Sequence, residues 1–342
     1  MGDTILVTGG AGYVGSHVVI ELAVAGYSLV VVDNFANSSP DVLSRLRRIT
    51  DGRVACHVGD VRDHSLLRRV FAEHAVAAVV HCAGLKAVAE SEADPLAYYD
   101  TNVGGAIVLV QSMADAGVKR IVFSSSATVY RDTDRNPIPE DAPLGPASVY
   151  GRTKLVVEEL LRDVVRSDPA WRVALLRYFN PAGAHPSGQI GEAPSATPNN
   201  LMPILAQVAA GKLGEVTVFG GDWPTPDGTG VRDYIHVMDL AEAHVAALTH
   251  LRHAAGVVAL NLGTSRGYSV LEAIAAFERA CGKPIPRRMA PRRVGDVACR
   301  VADASSARAA LGWAAKRGLD TMCADGWRWQ VHRDSGIIAE PR

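Results

Sequence analysis

Thr4-Ile5-Leu6-Val7-Thr8-Gly9-Gly10-Ala11-Gly12-Tyr13-Val14-Gly15-Ser16 is the stretch that decides the fold. Its opening run is apolar and β-branched without polar alternation, as expected of a strand covered on both faces. Gly9, Gly12 and Gly15 then fall in a G-x-x-G-x-x-G spacing, and a helical pattern follows over residues 13–25. Backbone lacking Cβ atoms can approach a pyrophosphate closely, and a helix N-terminus attracts its negative charge. Glycines alone would suit any tight turn; the strand before them and the helix after make the dinucleotide reading specific.

The same rhythm continues outward. Leu29 to Val32, Val54 to Val58, Ala77 to His81, Arg120 to Phe123 and Val173 to Leu176 read as further strands, with helices near 64–74, 95–116 and 148–167 between them. Such alternation predicts an α/β protein with a Rossmann-type doubly wound parallel sheet. After Asn180 the texture changes. Residues 181–200 and 220–230 are rich in Gly, Pro, Ser, Asn or Asp and read as long loops, followed by a strand at Val257 to Leu262 and a helix near 269–281. We therefore expect residues 1–180, with a returning segment near 236–262, to form the dinucleotide-binding domain. Residues 181–235 and 263–342 should form a smaller, interleaved α/β substrate domain.

The bulk composition excludes several classes. The chain has 342 residues, 48% of them hydrophobic and 21% charged, with a net charge of -1. It carries no basic field for nucleic acid and no run long enough to span a membrane. Its start reads as leading straight into a strand, so no signal peptide is expected. The five cysteines, Cys56, Cys82, Cys281, Cys299 and Cys323, form no C-x-x-C pair, which suits a reducing cytoplasm. Eleven histidines are dispersed without metal spacing, so no metal is expected; His81 and His236 read as core or loop residues, and Trp327 and Trp329 as packing anchors.

The chemistry-bearing residues cluster where strands end. Asp33 closes the second strand, about 20 residues beyond the glycines, where a carboxylate can bind the adenine ribose and repel a 2′-phosphate. This favours NAD over NADP. Asp60 follows the third strand, suitably for the adenine, though it could equally cap the next helix. Cys82-Ala83-Gly84, Ser124-Ser125-Ser126 and Tyr178-Phe179-Asn180 each follow the carboxyl end of a strand, the edge at which open α/β sheets bind ligands. In Ser148-Val149-Tyr150-Gly151-Arg152-Thr153-Lys154, Tyr150 and Lys154 are four apart and share a helix face. An ammonium beside a phenol favours the phenolate, which can take a proton from an alcohol while a cofactor takes hydride.

Together these residues resemble the extended short-chain dehydrogenase/reductase family, in its nucleotide-sugar 4-epimerase branch. The likeness is carried by Val7 to Tyr13, Ala83 to Val88, Phe123 to Tyr130, Leu176 to Asn180 and Gly183 to Gly188, then by Pro198 to Pro203 and Asp227 to Leu240, and it runs from about residue 3 to about residue 330. It implies reversible 4-epimerisation of UDP-glucose and UDP-galactose through a 4-keto sugar, with tightly bound NAD. It implies Ser126, Tyr150 and Lys154 as the catalytic triad. Around NAD it places Gly12, Tyr13, Val14, Asp33, Asn34, Asn37, Ser38, Asp60, Val61, Cys82, Ala83, Lys86 and Phe179, beside Gly9 and Gly15 of the glycine turn. Around the UDP-sugar it places Asn180, Asn200, Leu201, Phe219, Arg232, Arg293 and Asp296, next to Lys86, Ser126 and Tyr150. Forked arginine donors suit a diphosphate, whereas Arg287, Arg288 and Arg292 read as solvated surface. A homodimer through the helices near 95–116 and 148–167 is likewise implied.

Three positions depart from the family pattern. Thr101 stands where a cofactor-contacting Asn is expected, with Asn102 beside it. Cys82 replaces an aromatic near the nicotinamide. The resemblance puts Arg300 at the gate of the sugar pocket, with Cys299 one place earlier, and a local shift of one residue would exchange the two; a large gate implies glucose and galactose only, a small one admits N-acetyl sugars. Epimerisation of UDP-N-acetylhexosamines or UDP-pentoses is therefore an open alternative. A 4,6-dehydratase would need an Asp-Glu pair where this chain has Ala127-Thr128. A non-catalytic NAD-sensing protein would have no use for both Tyr150 and Lys154.

Overall fold

Seven strands, all parallel, form the central sheet of the computed structural model, which describes residues 2–133, 135–193, 198, 200–293 and 295–336. Asn199, within one of the family-like stretches, and residues 337–342 of the expected substrate domain lie outside the described residues. The strands are β1 (Thr4–Thr8), β2 (Ser28–Asp33), β3 (Val54–Val58), β4 (Val76–His81), β5 (Arg120–Ser126), β6 (Arg172–Tyr178), β7 (Asn180–Ala182), β8 (Val216–Phe219), β9 (Val231–Arg232), β10 (Tyr234–His236), β11 (Gly256–Leu262), β12 (Tyr268–Ser269), β13 (Arg287–Ala290) and β14 (Cys299–Arg300). The helices are α1 (Tyr13–Val24), α2 (Asp41–Ile49), α3 (His64–Glu73), α4 (Val88–Ala93), α5 (Pro95–Tyr98), α6 (Gly105–Asp115), α7 (Val149–Ser167), α8 (Leu201–Ala209), α9 (Val237–His250), α10 (Val270–Cys281), α11 (Ser305–Leu311) and α12 (Leu319–Asp334).

The sheet order is β11-β6-β5-β4-β1-β2-β3, so the chain winds outward from β1 in both directions and the order reverses between β1 and β4. That switch point is where a doubly wound sheet opens a crevice at the strands' carboxyl ends. Alternate residues of each strand supply two layers, as period two requires. Val7, Val31 and Val80 pack with α1 and α9 on one face, and Leu6, Val30, Val79 and Ile121 pack with α3, α6 and α7 on the other. β11 enters this sheet beside β6 after a long excursion of the chain. A further core, including Leu205, Val218, Tyr234, Phe277 and Met322, is built from α8, β8, β10, α10 and α12.

The expected single helix over 95–116 is three pieces: α5, a π-helical turn at Tyr99–Gly104, and α6. The wider turn lets buried Asn102 clamp the backbone of Leu85, accepting from its N–H at 2.8 Å and donating to its carbonyl at 3.1 Å. The loop expected over 181–200 contains the short strand β7 at its start. Trp329 is buried as expected, its indole donating to the Glu192 carbonyl at 2.9 Å.

Candidate active site

Close backbone packing shapes the glycine turn. Gly9 has φ +70, and a Cβ there would meet the Ala83 nitrogen at 2.6 Å. A Cβ on Gly15 would come within 2.1 Å of the Gly9 carbonyl, so the first turn of α1 rests directly on the loop. Gly12 caps α1 without any side-chain bond, and the first amides of a helix have no acceptor within it. Val14 and Ala83 pack on the sheet cores to either side.

Asp33 ties this loop to the one after β2. One carboxylate oxygen accepts from Phe35 N–H at 2.8 Å and Ser38 Oγ at 3.1 Å; the other accepts from Ala11 N–H at 2.9 Å and has a lone pair to spare. Asn37 lies in the same loop. Asp60 is not the cap of α3; Asp63 is, accepting from Leu66 N–H. Asp60 instead accepts from Asn34 Nδ2 at 2.8 Å and from the Arg62 guanidinium, which also reaches Asp100. The Arg62 hydrogen bonds hold the Asp60 carboxyl down at about 2. Neighbouring Val61 is buried against Gly105, where a Cβ would meet its side chain at 2.6 Å. Spare acceptor capacity at Asp33, first-turn amides of α1 that no side chain caps and a backbone surface free of side chains fit a dinucleotide.

At the end of β5, Ser126 Oγ accepts from Thr128 N–H at 3.2 Å and Thr128 Oγ1 at 2.9 Å. Tyr150 is set by the start of α7. Ser148 caps that helix through Gly151 N–H, Glu92 accepts from Val149 N–H, and Ser91 Oγ accepts from Tyr150 N–H at 3.1 Å. Lys154 is buried one turn on, donating to the Ser124 carbonyl at 2.9 Å, with its ammonium 4.9 Å above the Phe123 ring and 5.9 Å from the Tyr150 ring. Burial lowers Lys154 to about 8, against a smaller opposing pull from Cys82. Burial raises the Tyr150 phenol, and a hydrogen bond with Ser126 partly offsets this. The expected lowering of Tyr150 is therefore not achieved by the protein groups alone, because the cost of desolvating a phenolate outweighs them.

One further turn along the same face, Glu158 meets Arg177 of β6. The guanidinium donates to both carboxylate oxygens at 2.9 and 2.7 Å, and also to Tyr130 OH at 2.9 Å and the Glu140 carbonyl at 3.1 Å. Ser125 Oγ donates to the same carboxylate at 2.5 Å. Sequence reasoning missed this pair, although its i, i+4 spacing from Lys154 was available. Cys82 accepts from Ser124 Oγ at 3.1 Å, and burial pushes its thiol up to about 11. Thr101 lies half-buried in the π-helical turn, and Phe179 packs beside Ala127 and Tyr130.

Two polar clusters lie on the side of the expected sugar nucleotide. In the first, Arg293 donates to Asp296 at 3.0 Å and lies 4.6 Å over the Phe219 ring, while an Arg232 nitrogen is 3.8 Å from the same carboxylate. Two guanidiniums around one carboxylate leave a net positive charge, apt for a diphosphate. In the second, Lys86 donates to Glu192 at 2.7 Å, Asn200 Nδ2 donates to the same oxygen at 3.1 Å, and the Lys86 ammonium lies 5.8 Å from the Tyr13 ring. Glu192 was not singled out from the sequence, because a loop carries no periodic signal. Leu201 starts α8 and packs on the further core. Asn180 opens β7, its N–H bonded to the Asp233 carbonyl. Arg300, paired in register with Arg232, donates to the Ala127 carbonyl at 3.3 Å, one residue from Ser126. Arg287, Arg288 and Arg292 are exposed, as expected.

The sequence profile of the family "NAD dependent epimerase/dehydratase family" matches residues 5–263. The UDP-glucose 4-epimerase of Bacillus subtilis (strain 168) is 56% identical over 332 residues, covering 97% of this chain and 98% of that protein. A crystal structure of UDP-glucose 4-epimerase from Bifidobacterium longum in complex with NAD+ and UDP superposes with a TM-score of 0.94 at 52% identity, covering 97% of this chain and 99% of that one. The UDP-glucose-4-epimerase of Stenotrophomonas maltophila, with bound NAD and formylated UDP-arabinopyranose, gives 0.96 at 51% identity, covering 98% and 99%. With its sheet topology, its glycine turn and these likenesses over nearly its whole length, the chain belongs to the NAD dependent epimerase/dehydratase family.

Proposed function

We propose that the protein is an NAD-dependent epimerase that interconverts UDP-glucose and UDP-galactose at C4. The observation that carries this reading is the joint placement of Ser126, Tyr150 and buried Lys154 at the carboxyl ends of the parallel strands. NAD, when bound, supplies the acceptor and then the donor of the C4 hydride. Gly9, Gly12 and Gly15 with Tyr13 and Val14 would hold its pyrophosphate. Asp33, Asn34, Asn37, Ser38, Asp60 and Val61 would hold the adenosine half; Cys82, Ala83, Lys86, Thr101, Tyr150, Lys154 and Phe179 would border the nicotinamide half.

Tyr150 takes the 4-hydroxyl proton and later returns it, with Ser126 bonded to the same oxygens and Lys154 holding positive charge beneath them. Arg232, Arg293 and Asp296, with Phe219, Leu201, Asn180 and Asn200, anchor the UDP. An anchored nucleotide lets the hexose turn its other face to the site while both phosphates stay in place. The separate core built from α8, β8, β10, α10 and α12 supports dividing the chain into an NAD-binding part (1–180 and 236–262) and a UDP-sugar part (181–235 and 263–342). Exposed Leu96, Tyr99 and Ile107 along 95–116 support a homodimer through that stretch and α7. Five free cysteines support a cytoplasmic location.

The test is proton NMR of purified protein with UDP-galactose and no added NAD. Growth of the UDP-glucose anomeric signal is the expected result. No conversion, even after NAD is added, would remove this function. Arg300 argues for the narrow sugar range, because β14 directs its guanidinium to Ala127 beside the triad. Wild type should turn over UDP-N-acetylglucosamine at least about tenfold more slowly than UDP-glucose, and Arg300→Ala should close that gap by removing about 1–3 kcal/mol of discrimination. Equal discrimination by both proteins would exclude Arg300 as the gate.

A further inference from the structure

Among the described residues, the fold brings together one cluster that the sequence spacing did not reveal: His57 on β3, and Glu73 and His74 at the end of α3. We infer that these three side chains form a binding site for a divalent transition metal of the Cu2+, Ni2+ and Zn2+ class, separate from the epimerase site.

The placement follows from the β3–α3 return. His57 pairs in register with Val32, on the sheet face that packs against Leu66, Leu67 and Val70 of α3. The helix runs back antiparallel to the strand, and His74 follows its last turn. The two imidazole Nε2 atoms are 2.9 Å apart, with ring centroids 5.2 Å apart and planes at 80°. One Glu73 oxygen is 3.9 Å from His57 Nε2, while the other faces Arg69.

Imidazole nitrogens bind such metals at about 2.0–2.1 Å, so nitrogens 2.9 Å apart subtend about 90° at a shared ion. That is the cis angle of tetragonal Cu2+ and Ni2+ sites, and opening the pair by a few tenths of an ångström reaches the tetrahedral angle of Zn2+. Two neutral imidazoles and a carboxylate are borderline donors that suit these ions rather than Mg2+ or Ca2+. The alternative occupant of the gap is a single shared proton, with one imidazole donating to the other. β3 is the sheet's edge strand, bonded on one side only by β2, so an ion here would staple the edge to its covering helix.

Tag-free, full-length protein is titrated with copper sulfate at pH 7.5 in a non-coordinating buffer and followed by electron paramagnetic resonance. The expected spectrum is one tetragonal Cu2+ per chain with superhyperfine splitting from two nitrogens. Nickel chloride at a hundredfold excess over its dissociation constant should raise Tm by about 4 °C. His57→Gln and His74→Gln should each abolish the two-nitrogen signal and the Tm shift. Glu73→Gln, an exposed change that leaves the core intact, should weaken nickel binding by at least about tenfold. UDP-galactose turnover by metal-free protein should be the same in all four proteins. No two-nitrogen signal in wild type, or equal copper and nickel binding by wild type and the three variants, would overturn the proposal.

Discussion

Tyr150→Phe is expected to lower kcat by about 10²–10⁴-fold, the usual worth of a positioned general acid–base, while NAD is still released when the purified variant is denatured. The substitution removes one oxygen and little else. The Tyr150 backbone keeps its bond to Ser91, Ser148 still caps α7, and Lys154 keeps its bond to the Ser124 carbonyl. None of the groups proposed to anchor UDP is touched, since Arg232, Arg293 and Asp296 belong to β9 and the segment leading to β14. KM should therefore stay within about threefold, the signature of an interaction made in the transition state rather than in binding. Because burial raises Tyr150 in the protein alone, the residue depends on positive charge beside it to act near neutrality. Steady-state kinetics with UDP-galactose and chromatography of the released nucleotide decide the matter. A variant retaining a tenth or more of wild-type kcat would remove Tyr150 from the acid–base role.

Glu158→Leu is expected to cost about 3–5 kcal/mol of stability, because it strands the Arg177 guanidinium without its carboxylate in the interior. Both side chains are almost wholly inaccessible, at 2% and 0% exposure. Arg177 would keep only the Tyr130 hydroxyl and the Glu140 carbonyl, and Ser125 would lose its acceptor. For a chain of this length the loss corresponds to a fall of about 4–7 °C in Tm. The pair also joins α7 to β6 on the face that carries Tyr150 and Lys154, so some loss of kcat should accompany it. Pairing Glu158→Leu with Arg177→Met should restore most of the stability, since an apolar pair of similar volume avoids burying charge. Urea unfolding of the single and double variants checks this. A loss below about 1 kcal/mol in Glu158→Leu would show that water reaches the guanidinium and that the pair is not a lock.

Local rules made the first half of the chain legible. Strand runs without alternation, the glycine turn and the i, i+4 spacing of Tyr150 and Lys154 each depend on neighbours in sequence. β1 to β6 and β11 accordingly lie within a residue or a few of the expected positions. The short strands β7 to β10 and β12 to β14 were not legible. β9 is two residues long and exists because β12 and β14 flank it from distant parts of the chain. Helices α8, α9 and α12 escaped for a related reason. α8 is apolar but for Gln207, so no polar outer face marks it, and in α9 and α12 polar residues such as Asp239, His244, Asp325 and Gln330 are themselves buried, which blurs the helical periodicity.

The sequence by itself determined the sheet, the glycine turn and the shared helix face of Tyr150 and Lys154, because backbone sterics and side-chain periodicity act over a few residues. Only the tertiary structure decided how those residues are tuned. Burial raised Tyr150 against the expectation from Lys154, the π-helical turn turned Asn102 onto Leu85, and Glu192 met Lys86 from 106 residues away. It also set His57 against His74 and carried Arg300 to Ala127. Desolvation and long-range pairing depend on what the rest of the chain packs around a group, which a group's sequence neighbours do not specify.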